Sequence, residues 1–264
     1  MNTNLSVSNI GWKTECNAQI YDYLRDLNIC GLDIAPTLIG EINSIDVKKV
    51  IKEVTEAKLK IIGMQSLLFS CPPVSIFDGN KEKAIIFKKL DKCFSLANKL
   101  GVGILVFGSP KNRFIKNTAN FNYNNAVAIF KEMSDIAKKY NCIVCFEPNP
   151  RQYGCNFMVN TYDALDFVKK VNHANFKINL DISTTIINNE SVAAIFDKGF
   201  DLIEHIHISA PGLKTIATIN NREIAATIKK FHYNKWIALE CNYQEEQTLD
   251  KIKADIELFK EVYQ

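Results

Sequence analysis

The chain has 264 residues, 47% hydrophobic and 23% charged, which is enough apolar material for a sizeable core. It carries 32 Lys and Arg against 29 Asp and Glu, a net charge of +3 with the basic residues scattered. That pattern excludes the clustered basic face of a nucleic-acid partner. No apolar run approaches the roughly 20 residues that span a bilayer. Met1–Ile10 lacks the charged and apolar regions of a secretion signal, so a cytoplasmic location without a membrane partner is expected.

In chain order, strand-like runs fall at Leu5–Ile10, Cys30–Ala35, Lys60–Gln65, Gly103–Phe107, Cys142–Glu147, Lys177–Asp181, Leu202–Ile208 and Trp236–Cys241. Between them, apolar residues recur at three- and four-residue spacing over Val47–Ala57, Lys81–Leu100, Tyr123–Tyr140, Tyr162–Val171, Asn221–Phe231 and Thr248–Val262. Shorter helical patterns cover Cys16–Leu27 and Ser191–Phe196. Alternating strands and helices argue for a parallel sheet with right-handed crossovers. Eight units in this length predict closure into a (β/α)8 TIM barrel of the α/β class, one domain spanning residues 1–264. No G-x-G-x-x-G follows the first strand, which weakens the open dinucleotide-binding alternative. The eight cysteines show no regular spacing; Cys142 and Cys145 lie three apart in one strand, face opposite sides, and read as buried free thiols.

Barrel chemistry sits at the C-terminal ends of the strands. The last four strands each end in an unexpected polar residue: Glu147, Asp181, His207 and Glu240. Each is about one βα repeat from the next, so all four converge on one mouth. Three carboxylates and an imidazole brought together without partners would repel and carry a heavy desolvation cost. A divalent cation removes that conflict, and mostly oxygen ligation with one nitrogen suits Mn²⁺ or Mg²⁺ and accepts Co²⁺ or Zn²⁺.

These residues also carry a resemblance. SNIGW (Ser8–Trp12), GLDIAPT (Gly31–Thr37), MQSLLF (Met64–Phe69), VFGSPKNR (Val106–Arg113), FEPNPRQYGCNF (Phe146–Phe157), NLD (Asn179–Asp181), HIHIS (His205–Ser209) and WIALE (Trp236–Glu240), in this order and spacing, resemble the xylose isomerase-like barrel superfamily, in its sugar-phosphate isomerase/epimerase branch. The resemblance implies that Glu147, Asp181, His207 and Glu240 bind the metal, Mn²⁺ foremost. It also implies that Glu147 and Glu240 are the catalytic acid and base of an isomerase or epimerase working through a metal-stabilised enediolate. The implied partner is a small sugar or sugar phosphate, and relatives are often homo-oligomers. Two departures stand out: Thr184 occupies a position where many relatives have histidine, and Ala210 one where many have glutamate.

Further residues have two readings each. Lys111 and Arg113 either hold a substrate phosphate or carboxylate or are solvated loop charges. Trp12 either caps a sugar ring or packs the barrel end, and Gln65 either bonds sugar hydroxyls or is an ordinary strand end. Asn149 and Tyr153 orient Glu147 or touch substrate, and Asp33 supports the site or caps a loop. His205 alternates with His207 and reads as a supporting or substrate-contact residue. His173 and His232 fall on the opposite face as solvated residues. Alternatives with the same barrel are a polyol-ketone dehydratase and a non-catalytic sugar binder. An endonuclease-IV-like phosphodiesterase needs more strand-end histidines than the four in this chain provide.

Overall fold

The structure, a computed structural model, describes residues 4–243 and 249–264. Eight strands, β1 (Asn4–Ser8), β2 (Gly31–Ile34), β3 (Lys60–Met64), β4 (Ile104–Phe107), β5 (Ile143–Phe146), β6 (Phe176–Asp181), β7 (Ile203–Ile208) and β8 (Trp236–Leu239), pair in sequence order. All pairings are parallel, and β1 pairs with β8, so the sheet closes as a (β/α)8 barrel. Around it run α1 (Asn17–Asp26), α2 (Val47–Glu56), α3 (Asn80–Leu100), α4 (Tyr123–Lys139), α5 (Thr161–Val171), α6 (Ile182–Ile187), α7 (Val192–Gly199), α8 (Asn221–Lys230) and α9 (Leu249–Tyr263). No helix among the described residues is long and apolar enough to cross a membrane.

Local chemistry sets many of the helix ends. Asp46, Asn122, Asn160 and Ser191 each accept a hydrogen bond from the backbone N–H three residues on, which satisfies a first-turn donor. Gly101 closes α3 in the left-handed conformation that glycine adopts without a Cβ penalty.

The two-residue period of the strands divides their side chains between two cores. Leu105 and Phe107, Val144 and Phe146, Ile178 and Leu180, Ile206 and Ile208, Ile237 and Leu239 join the large core between barrel and helices. The alternate residues fill the bore. Its apolar wall is Ile62, Ile104, Val106 and Cys145. Its polar wall includes the fully buried Ser6, Asp33, Asn179, His205 and His207. Cys142 and Cys145 fall in different cores, as their spacing predicts, and both are free.

Several boundaries differ from expectation. β1 stops at Ser8 because Asn9–Gly11 turns into a 3₁₀ segment, where Asn9 Oδ1 accepts from the Ala35 N–H at 2.8 Å. β8 ends at Leu239 instead of Cys241, and α7 continues past Phe196 to Gly199. The six-residue α6 was not expected: it begins directly after β6, with Asp181 as both last strand residue and N-cap. Thr248, the expected start of the last helix, lies outside the described residues. His173 is not freely solvated: it is half-buried, with Nε2 3.2 Å from Asp135 Oδ1, whereas His232 is exposed.

The outer faces of β4, β5 and β6 pack on an aromatic cluster centred on Phe130 of α4. Its ring lies 5.6, 5.4, 5.2 and 5.5 Å from Phe107, Phe146, Phe167 and Phe176. The cluster backs the strand end that carries Glu147. Phe130 is fully buried, so Phe130→Ala should leave a cavity and lower stability by about 3–5 kcal/mol. Urea unfolding monitored by circular dichroism checks this; a loss below about 1 kcal/mol would mean that the cluster repacks.

Candidate active site

Glu147 and Glu240 sit one residue past the ends of β5 and β8, where the sheet ladder still holds them. The Glu147 N–H donates to Phe107 C=O at 3.0 Å and the Glu240 N–H to Ile208 C=O at 2.9 Å. With Asp181 and His207 they continue the inward-facing series of their strands, so period two delivers all four to the same end of the bore. His207 is fully buried; its Nδ1 lies 3.4 Å from Glu147 Oε2 and 3.2 Å from Glu240 Oε2, and forms no hydrogen bond. The two glutamate side chains are 14% and 13% exposed and so remain open to solvent at the mouth.

Each glutamate is held by amide donors. Glu147 Oε1 accepts from Asn149 Nδ2 at 2.9 Å and its Oε2 from Asn179 Nδ2 at 2.8 Å, while Glu240 Oε1 accepts from Gln65 Nε2 at 2.6 Å. Asp181 is bound more heavily. Its Oδ1 accepts from the Ser183 N–H and from Ser209 Oγ, and its Oδ2 from the N–H and Oγ1 of Thr184. These four donors match the usual capacity of a carboxylate. Thr184 braces Asp181 through its N–H and its hydroxyl, whose single hydrogen is shared between Asp181 Oδ2 at 2.8 Å and the Pro148 carbonyl at 3.0 Å.

Beside this cluster lies a second one. Asp33, His205 and His207 each offer a ligand atom within 4.8 Å of the others, and all three are buried. His205 Nε2 lies 2.8 Å from Asp33 Oδ2, and His207 Nε2 lies 3.8 Å from the same oxygen. His207 thus turns one ring nitrogen to Asp33 and the other to the glutamates. The 3.8 Å contact is an ion-pair approach and not a hydrogen bond, so Asp33 bonds His205 alone of the two imidazoles. Asp33 therefore lies in the buried polar wall beside the site, hydrogen-bonded to His205.

The protonation pattern follows from this packing. Burial pushes Glu147 up, but His207, Asn149 and Asn179 outweigh it and hold the carboxylate below its usual value. Burial, with the charges of Glu147 and Glu240, pushes Asp181 up to about 7 despite Ser209 and Thr184. Burial alone would lower His207, yet Glu240, Asp33 and Glu147 drive it well above the usual imidazole value. Asp33 behaves like Glu147: burial opposes its charge, and the two imidazoles keep it ionised. The metal-free cluster thus balances its carboxylates by retaining protons. An acidic, oxygen-rich pocket around an imidazole nitrogen that makes no hydrogen bond is a donor set that fits a divalent cation.

Other expected site residues take varied places. Gln65 and Asn149 reach the glutamates. The Tyr153 hydroxyl lies 2.9 Å from Ser183 Oγ and accepts from the Gly212 N–H at 2.8 Å, which ties the segments after β5 and β7 to the start of α6. Trp12 is buried and donates to Asn17 Oδ1 at 2.8 Å, so it packs the barrel end. Lys111 is exposed. Arg113 is fully buried behind Glu147.

Asn179 and Ser209 were not singled out from sequence, although each stands two residues from an expected ligand and so shares its face. Gly108 and Gly63 were missed as well. A Cβ at Gly108 would lie 2.7 Å from Glu147 Oε1, and one at Gly63 would lie 2.5 Å from Asp33 Oδ2. Neither approach is readable without the neighbouring strand.

This fold and site define a closed barrel with an acidic, histidine-containing centre at its C-terminal mouth. The chain belongs to the xylose isomerase-like TIM barrel family, whose sequence model matches residues 22–262. Solved structures with the same fold include D-psicose 3-epimerase with D-tagatose from Clostridium cellulolyticum H10, at 15% identity and TM-score 0.79, covering 99% of this chain and 100% of that one. 3-Keto-D-glucoside 4-epimerase from E. coli matches at 14% identity and TM-score 0.78, over 98% and 100% of the two chains. D-Allulose 3-epimerase from Methylomonas sp. in complex with D-allulose matches at 16% and 0.77, over 99% and 98%. No curated protein matches the chain in sequence.

The Asp33 carboxylate cannot retreat from an added Cβ without breaking its bond to His205. Gly63→Ala should therefore lower stability by about 1–3 kcal/mol through overpacking. Thermal unfolding of the variant measures this, and an unchanged midpoint would show that Asp33 is free to move.

Proposed function

We propose that the chain is a metal-dependent sugar isomerase or epimerase in which Glu147 and Glu240 move the substrate proton. The observation that carries this reading is the pair of amide-held glutamates meeting at Nδ1 of His207, which lies within ion-pair distance of both. Kinship with sugar epimerase folds supports it.

Glu147, His207 and Glu240 would hold the cation together with Asp181, which would exchange one of its hydroxyl donors for it. Bound there, a divalent cation such as Mn²⁺ supplies Lewis-acid polarisation of a carbonyl and charge balance for the oxygens beside it. The chain does the rest. One glutamate carboxylate takes the carbon-bound proton, and the electron pair stays on the substrate as an enediolate. The other glutamate, protonated, returns a proton to the opposite face and inverts the centre; return to the neighbouring carbon instead exchanges aldose for ketose. Asn149 and Asn179 keep Glu147 ionised and aligned, and Gln65 orients Glu240.

Deuterium incorporation in D₂O, with Mn²⁺ and a panel of ketoses, aldoses and their phosphates, tests the reading by NMR. Exchange at a carbon next to the carbonyl is expected. Glu147→Gln and Glu240→Gln should each reduce it by about 10²-fold or more, as loss of a general acid or base does. Full exchange in both variants would sink the assignment, and product lighter by one water would indicate a dehydratase.

Cation binding should also displace protons. Asp181 near 7 and His207 raised mean that, metal-free at neutral pH, Asp181 is partly protonated and His207 largely so. Affinity should therefore rise as pH climbs through about 7 and fall below it. Calorimetry in buffers of different ionisation enthalpy measures the protons released; identical heats would argue against ligation by this cluster.

A further inference from the structure

Arg113 is among the largest fully buried side chains of the molecule, although its sequence setting suggests either a solvated loop charge or a cation for an anionic substrate group. It extends behind β5, and its guanidinium carbon lies 4.5 Å from the Phe146 ring centroid. One nitrogen, Nη2, makes both of its hydrogen bonds: to the Glu147 carbonyl at 2.8 Å and to Asn149 Oδ1 at 2.8 Å. Its Nε and Nη1 are buried without hydrogen-bond partners, which makes this an expensive place for a guanidinium unless those two bonds matter.

Arginine can only donate. It therefore compels Asn149 to present Oδ1 towards it, which leaves Nδ2 facing Glu147 Oε1 at 2.9 Å. With the amide turned over, an oxygen would face the glutamate oxygen and the bond would become a repulsion. Gly108 provides the space in which this arrangement sits, since a Cβ there would lie 2.7 Å from Glu147 Oε1 and 3.3 Å from Asn149 Oδ1.

We infer that Arg113 is a positioning residue, acting through Asn149 to set the direction of the Glu147 carboxylate, and that it is not a substrate anion contact. The inference rests on the proposed role of Glu147 as metal ligand and proton carrier. Both bonds leave from a single nitrogen, so a lysine ammonium can reproduce them in part. Methionine fills similar volume with no donor. A packing role would rank methionine with lysine; a positioning role separates them.

The test uses the full chain with Arg113→Met, Arg113→Lys, Asn149→Ala and the double variant Arg113→Met/Asn149→Ala. In metal-free crystal structures of Arg113→Met, the Asn149 amide should leave Glu147 and the carboxylate should turn from its native direction. Mn²⁺ affinity, read by calorimetry, should fall about 10–100-fold in Arg113→Met and Asn149→Ala, as for other residues that orient metal ligands. Arg113→Lys should bind Mn²⁺ more tightly than Arg113→Met, and the double variant no more weakly than the weaker single one. Because Asn149 lies nearer the surface, Asn149→Ala tests the same chain of contacts should Arg113→Met fail to fold. An unmoved Glu147 in Arg113→Met, equal affinity of the lysine and methionine variants, or losses that multiply in the double variant would each overturn the inference. If the native chain bound no Mn²⁺, the proposed metal-dependent activity would fall. The metal-free structures would still decide whether Arg113 sets Glu147.

Discussion

Three carboxylates and an imidazole occupy one buried end of the bore, and the need to balance their charge organises everything around them. Asp181 is braced by two hydroxyls and two backbone N–H groups, and the glutamates by three side-chain amides. Amides and hydroxyls stabilise the anions without adding charge, which leaves the net negative potential available to a cation. His207 is shared between this cluster and Asp33, so the orientation of one ring couples the mouth to the buried polar wall beneath it.

The two sides of the bore have different tasks. Ile62, Ile104, Val106 and Cys145 give one wall a dry, densely packed surface, and the polar residues line the other. A low-dielectric wall opposite the charged groups strengthens every electrostatic interaction among them. Outside, the Phe130 cluster keeps β4, β5 and β6 rigid where Glu147 emerges. Core packing and site geometry are thus continuous: Phe146 joins that cluster on one side and lies under Arg113 on the other.

Much of this was legible in the chain. Eight βα units could be read from period alone, and the four strand-end residues stood out because a polar group at the end of an apolar strand is conspicuous. The short α6 was not legible. Its six residues, ISTTII, are mostly β-branched and too few to show a helical period, and the Asp181 side chain, by capping Ser183 and Thr184, ends one element and starts the next. Arg113 was misleading for a different reason. A cation in a loop reads as solvated or as an anion contact, and its burial depends on where that loop folds back.

The sequence by itself determined the alternation that makes a barrel and the face on which each strand-end residue lies, because side-chain parity along a strand is a local property. Only the tertiary structure decided which atoms meet: that Asn179 and Asn149 hold Glu147, that Gln65 holds Glu240, and that glycine is needed where Asp33 and Glu147 cross a neighbouring strand. Those contacts join residues far apart in the chain, and their partners follow from strand register and barrel closure, which no local pattern encodes.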